Sequence, residues 1–128
     1  MTTHISAVVV RSKEDGVPAV LLLRRVEDEK WCLPGGKAEL HETSMTTAVR
    51  EMWEETHIYA TLELDRMDWR RYNNIPIHLF RTKNDLPYKS TPTLQRSEHS
   101  EFIWADAEWL LKNQDKLMDP LKDLLGFL

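Results

Sequence analysis

Residues Gly35 to Ile58 read GGKAELHETSMTTAVREMWEETHI, a paired glycine turn followed closely by Glu39, Glu42, Glu51, Glu54 and Glu55. Within it, Thr43 to Thr56 has helical spacing, because Met45, Ala48, Val49 and Met52 recur at i, i+3, i+4 and i+7 and make one apolar stripe. At about 100° per residue, Glu51, Glu54 and Glu55 share a different face, centred roughly 130° from that stripe. Like charges three or four positions apart on a helix repel by roughly a few tenths of a kcal/mol per pair. The helix therefore gains nothing intrinsic from the arrangement.

A divalent cation reverses the sign of that argument. Carboxylate oxygens that leave room for water and phosphate suit Mg²⁺ or Mn²⁺, and the Gly35-Gly36 pair lets backbone approach the same place without a side chain in the way. A solvated acidic helix face is the alternative that an isolated Glu-Glu pair would suggest. The full spacing is more specific: Gly36, five residues, Glu42, seven residues, then Arg50-Glu51-Met52-Trp53-Glu54-Glu55. It resembles the signature of the Nudix hydrolases, enzymes that cleave nucleoside diphosphates linked to another moiety. His57 stands where that signature has its last glycine, with a fitting Ile58 behind it. A residue just past a helix commonly turns left-handed to close the last turn, and histidine enters that region at a cost of about 1 kcal/mol. A slightly strained helix end is expected, with the metal site kept.

A chain of 128 residues fits one domain, residues 1–128, with a single core. With 41% apolar and 30% charged residues it reads as a soluble globular protein, and it has neither an apolar run of membrane-spanning length nor a signal peptide at MTTHISAVVVR. A cytoplasmic location is expected. The lone Cys32 excludes an internal disulfide, fits a reducing compartment, and between Trp31 and Leu33 reads as packing. A net charge of −4 argues against general adhesion to nucleic acid. The stretch carrying Arg66, Arg70, Arg71, Arg81, Lys83, Lys89 and Arg96 is locally basic, which suits either a polyphosphate or a solvated surface.

In chain order, Ile5–Val10 and Ala19–Leu23 read as two strands, plausibly paired, around the turn-forming SKEDGVP segment. Glu27–Lys30 is a polar loop, and Pro34 restricts Leu33 to extended conformations ahead of the glycines. Glu42 or Thr43 is placed near the helix N-cap. Tyr59–Met67 and Ile75–Arg81 follow as strands, with Pro76 putting the second at an edge or its start outside the ladder. Asn84–Arg96 is a long polar loop, Glu101–Trp104 a short strand, and Asp106 caps a helix opening DAEWLLK. Leu117, Leu121, Leu124 and Leu125 have helical spacing interrupted by Pro120, which can begin a new helix.

The resemblance implies an α/β fold: an α/β/α sandwich with a mixed β-sheet and the loop-helix of the signature. It implies that Glu51, Glu54 and Glu55, with the carbonyl of Gly35, hold Mg²⁺, with Mn²⁺ as a substitute. Arg50 would hold a catalytic carboxylate and Glu42 would brace the loop. Relatives carry a further acidic residue before a tryptophan-bearing strand, a place that Glu98 fits as metal ligand or general base, with Glu101 as the fallback. Glu51 is the other candidate base. Arg24 or Arg25, ending a strand, is a candidate phosphate contact. Trp31, Trp69, Tyr72, Asn73, Asn74 and Phe80 are candidates to recognise a base.

The reaction so implied is hydrolysis of a phosphoanhydride bond, foremost in a (deoxy)nucleoside triphosphate giving monophosphate and pyrophosphate. The alternatives are RNA 5′-pyrophosphohydrolysis, which the overall acidity disfavours, hydrolysis of dinucleoside polyphosphates or ADP-ribose, and a nucleotide sensor without turnover. No membrane partner is expected. A homodimer is consistent with small members of the family.

Overall fold

The computed structural model describes residues 3–128, and its strands fall into two four-stranded sheets. The elements in order are β1 (Ile5–Val9), β2 (Arg11–Glu14), β3 (Val17–Arg25), β4 (Trp31–Cys32), β5 (Gly35–Lys37), α1 (Ser44–Thr56), β6 (Leu62–Tyr72), β7 (Ile75–Thr82), β8 (His99–Ala105), α2 (Ala107–Lys112), a 3₁₀ turn at Gln114–Lys116 and α3 (Leu121–Leu125). One sheet runs β5-β1-β7-β6 and is mixed, because β1 pairs parallel with β7 and the other pairs are antiparallel. In the other, β3 pairs with β2, β4 and β8, all antiparallel.

Side-chain alternation along the strands builds two cores. Val8 and Val10, and Ala19, Leu21 and Leu23 of β3, pack with Ala48 and Met52 of α1. Val9, Val20 and Leu22, pointing the other way, pack with Leu110 of α2 and Leu124 of α3. Helices thus cover both faces of the strands, which is the expected α/β/α sandwich.

Several local expectations are met and several corrected. Thr43 is the N-cap of α1, accepting a hydrogen bond from the Thr46 N–H at 3.1 Å. His57 closes the helix with φ 59° and ψ 26°, its N–H donating to the Trp53 carbonyl at 2.8 Å. Its ring stacks on Trp53 with centroids 4.5 Å apart, and Trp53 stacks with Tyr59 at 4.4 Å. The left-handed cap is therefore braced by aromatic packing that a glycine would lack.

The expected pairing of the first two strand segments does not extend beyond the end of the first, where the Leu21 N–H donates to the Val10 carbonyl at 3.0 Å. β1 lies in the mixed sheet, and the partner of β3 is β2, across a two-residue turn at Asp15 and Gly16 with positive φ at both. The SKEDGVP segment is thus mostly hairpin strand. β7 is an interior strand despite Pro76. The ladder to β1 begins only at Ile77, so the proline sits beyond the end of β1. β6 begins at Leu62 and extends to Tyr72, and Asn73 and Asn74 form its turn into β7 with φ 49° and 67°. Asp106 caps α2 and Pro120 precedes α3. Among the described residues, no helix is long and apolar enough to cross a membrane.

The buried side of α1 is rotated from the one hydropathy suggests. Met45 is exposed, whereas Thr47, Ala48, Met52, Glu55 and Thr56 are buried. The rotation carries part of the acidic face inward, where the site lies.

Candidate functional site

Glu55, only 3% exposed, is driven against β5 by the rotation of α1, and its Oε1 accepts a 2.7 Å hydrogen bond from the Gly35 N–H. Burial pushes its carboxyl up to about 9, against which the Gly35 bond acts and to which Glu51 and Glu98 add by repulsion. Glu51 is half-buried and also raised, mainly by burial. Its carboxylate occupies the space that a side chain on Gly36 would take: a Cβ there would lie 2.5 Å from Glu51 Cδ. Gly35 is required for another reason, since a Cβ would come 2.2 Å from the Ser6 carbonyl oxygen of the neighbouring strand. The two glycines therefore serve separate ends, one admitting a carboxylate and one admitting a strand.

Arg50 organises the rim. Its guanidinium donates to Glu42 at 2.7 and 2.9 Å, to Glu51 at 2.8 Å, to Glu54 at 3.1 Å and to the Lys37 carbonyl at 3.0 Å. Glu42 also accepts from the Thr47 hydroxyl at 2.8 Å and the Glu39 N–H at 2.9 Å, and Arg50 holds its carboxyl down at about 2. One arginine thus ties the loop between β5 and α1 to the helix and fixes the Glu51 side chain. Glu54, more exposed than Glu51, is held at the rim by this arginine.

Glu98 comes from the far side of the chain, immediately before β8. Its N–H donates to the Gln95 carbonyl and its carbonyl accepts from the Val26 N–H, both at 2.9 Å, so its backbone is fixed on two sides. Glu55, Glu98 and His99 offer ligand atoms that all lie within 4.8 Å of one another. Such a set, with an unpartnered His99 Nδ1 facing Glu55 and a glycine-backed Glu51 beside it, fits a divalent cation.

These groups open onto a cleft of about 450 Å³. Leu33, Trp69, Tyr72, Ile77 and Met118 give it an apolar section, and Asp119 a buried polar one. Asp119 accepts from the Leu33 N–H at 3.0 Å and from Arg70 at 2.7 Å, while burial pushes its carboxyl upward. Lys37 and Arg25 are the cations that line the cleft. Arg25 is engaged by Glu27 at 2.5 Å and Asp28 at 3.3 Å.

Of the residues singled out from the sequence, Gly35, Glu55, Glu98 and Arg25 line the cleft, with Glu51 against Gly36 and Glu54 at the rim. Arg24 lies outside the lining and pairs with Glu101 at 3.0 Å and Glu29 at 3.4 Å, which places Glu98, not Glu101, at the cleft. Trp69 and Tyr72 reach the cleft, whereas Phe80 is in the core, Trp31 packs edge-on to Trp109, and Asn73 and Asn74 form a turn. His99, Met118 and Asp119 carried no local signal, since only the packing of β8 and the C-terminal segment against β3 and β4 brings them in.

A family model described as NUDIX domain matches residues 2–125. A MutT-like protein of Streptomyces ambofaciens is 46% identical over 62 residues, covering 48% of this chain and 38% of that protein. A putative 8-oxo-dGTP diphosphatase 3 of Mycobacterium tuberculosis is 44% identical over 62 residues, covering 45% of this chain and 27% of that protein. The chain matches well under half the length of these curated relatives. Among solved structures, the dihydroneopterin triphosphate pyrophosphohydrolase of E. coli superposes with a TM-score of 0.73 at 20% identity, covering 97% of this chain and 90% of that one. The MutT protein of Methanosarcina mazei Go1 gives 0.70 at 25% identity, covering 98% and 92%. With the whole fold matched and nearly the whole sequence within the family model, the chain belongs to the Nudix family.

Proposed function

We propose that this protein hydrolyses a phosphoanhydride bond of a nucleoside diphosphate-linked substrate, foremost a nucleoside triphosphate, releasing monophosphate and pyrophosphate. The observation that carries this reading is the joining of two unlike surfaces in one cleft: crowded, buried carboxylates at Gly35 and Gly36, and an apolar section lined by Trp69, Tyr72 and Ile77. A base fits the second and a metal-bound phosphate chain fits the first. The names of the curated relatives, a MutT-like protein and a putative 8-oxo-dGTP diphosphatase, support the triphosphate as substrate.

Glu51, Glu54, Glu55 and Glu98, with the carbonyl of Gly35, would hold Mg²⁺ or Mn²⁺. The ion supplies neutralisation of phosphate charge and a water acidified toward neutral pH. Glu98 or Glu51 takes the proton of the attacking water, both being carboxylates within this cluster. Arg50 keeps Glu51 aimed at the site through its bond to one carboxylate oxygen. Lys37 and Arg25, which line the cleft, would be the cations to meet the phosphates. The remaining proposals follow from the same reading: one domain spanning residues 1–128 and a cytoplasmic enzyme, with homodimerisation to be read from its mass in solution.

Release of pyrophosphate or phosphate from a panel of nucleoside triphosphates, dinucleoside polyphosphates, nucleotide sugars and 5′-triphosphorylated RNA, with and without Mg²⁺, tests the proposal. Metal-dependent turnover that is fastest on a triphosphate is expected. Tight binding without turnover at saturating Mg²⁺ would make the protein a sensor instead. Glu54→Gln is expected to remove most turnover with the fold intact. Activity within a few-fold of the unaltered protein would remove Glu54 from the metal set.

A further inference from the structure

His99 opens β8 at an irregularity in the pairing with β3. Arg24 stands opposite Glu101 and Arg25 opposite His99, so the register shifts by one residue between them. A bulge of this kind, here at Ser100, re-aims a side chain beside it. His99 is thereby turned into the interior, 5% exposed, where it lines the cleft. One ring nitrogen, Nε2, faces the sulfur of Cys32 at 3.8 Å. The other, Nδ1, lies 3.6 Å from Glu55 Oε2 and has no hydrogen-bond partner.

An unpartnered buried ring nitrogen costs about 1–3 kcal/mol in an ordinary core. Here it points into a carboxylate cluster. Two ligands each about 2.1 Å from one ion stand about 3 Å apart when adjacent in octahedral geometry, so the 3.6 Å separation of Nδ1 and Glu55 needs only a small adjustment to share an ion. The outward nitrogen meanwhile has a neighbour of its own in Cys32, the arrangement by which a ligating histidine is held in orientation.

We infer that His99 joins the acidic residues of this cleft as a nitrogen ligand, making the cation site one that prefers a transition ion such as Mn²⁺ to Mg²⁺. The inference rests on the metal-dependent reading of the cleft given above. Mg²⁺ favours oxygen donors throughout, whereas first-row transition ions accept imidazole readily. Cys32, against the other ring nitrogen at 3.8 Å, helps to hold the ring in orientation.

Mn²⁺ added to the protein and followed by electron paramagnetic resonance gives the affinity, and competition with Mg²⁺ gives the preference. Electron spin echo modulation then reports whether a nitrogen touches the ion. A ¹⁴N modulation is expected, replaced by the ¹⁵N pattern when the unaltered protein is grown with ¹⁵N-labelled histidine. It should vanish in His99→Gln, with the preference for Mn²⁺ over Mg²⁺ falling about tenfold. The labelling arm needs no variant and so stands even if His99→Gln folds poorly. Bound Mn²⁺ with no histidine nitrogen modulation would overturn the ligand assignment while leaving the carboxylate site in place. Failure of Mn²⁺ to bind, or binding unchanged in Glu55→Gln, would overturn the metal reading itself and the inference with it.

Discussion

On β6 and β7, Arg70 lies 2.7 Å from Asp119, Arg71 3.5 Å from Asp68, and Arg81 2.6 and 2.8 Å from Asp65 and Glu63. At the cleft, Glu51, Glu55 and Glu98 crowd together, and the cation of α1 nearest them, Arg50, is already shared with Glu42 and Glu54. The first region is charge-balanced and is what a stable strand pair needs. The second is negative, partly buried and destabilising by itself. Three of the seven cations in the locally basic stretch that suggested a polyphosphate surface, Arg70, Arg71 and Arg81, are therefore engaged in pairs within the protein. The acidic cluster is the place where a ligand of opposite charge is missing from the protein's own side chains.

The sharpest way to break this contrast is Glu55→Gln. Turnover should fall by at least about 100-fold, and assays of triphosphate hydrolysis read it directly. Thermal melts of the metal-free protein at pH 8 should show no loss of stability, because the amide keeps the Gly35 contact and, unlike the carboxyl, is neutral without taking up a proton on folding. A large drop in stability would mean that the carboxylate is structural.

Next in size are the two glycines. Gly36→Ala pushes only the far end of the Glu51 side chain, so the fold should survive while activity drops about 10-fold to 100-fold. Gly35→Ala meets backbone of β1 instead and should cost about 1–3 kcal/mol in urea unfolding. Equal losses of stability in both would show that the Glu51 carboxylate does not occupy the space over Gly36.

The pH dependence of stability separates the regions further. Glu55 holds its proton up to about 9 in the folded metal-free protein but releases it near 4.5 when unfolded. The unfolded state therefore binds fewer protons between those values, and stability of the metal-free protein should fall as pH rises through that window. Glu42 runs the other way, its contribution being full above about 4.5 and lost as pH falls toward about 2. Melting temperatures should drop by several degrees from pH 5 to pH 8 without metal, and Mg²⁺ should restore more of the loss at pH 8 than at pH 5. The smallest effect is expected at the balanced end. Arg81→Met should cost at most about 1 kcal/mol and leave turnover within a few-fold, since that pair is partly exposed and distant from the cleft lining.

The local sequence was enough for α1 and its left-handed end at His57, and it narrowed the cap to Glu42 or Thr43, because each depends on contacts within a few residues. It was also enough for the glycine pair and for the spacing of Arg50, Glu51, Glu54 and Glu55 that marks the family. Helical periodicity places residues on faces, but it does not say how deep a face sits. Glu51, Glu54 and Glu55 share a face by angle, yet Glu55 is enclosed and Glu54 is at the rim, because α1 rolls toward β5 to bury Thr47 and Thr56.

What only tertiary structure decided lies at larger separations along the chain. The division into two sheets turned on β1 choosing β7, a parallel pairing that hydropathy cannot distinguish from a hairpin with β3. Placing Asp119 beneath Leu33, and turning His99 toward Glu55 through a one-residue register shift, likewise required the packed strands. Which carboxylates this protein owns was written locally; which of them lose their water was set by burial, and burial belongs to the whole fold.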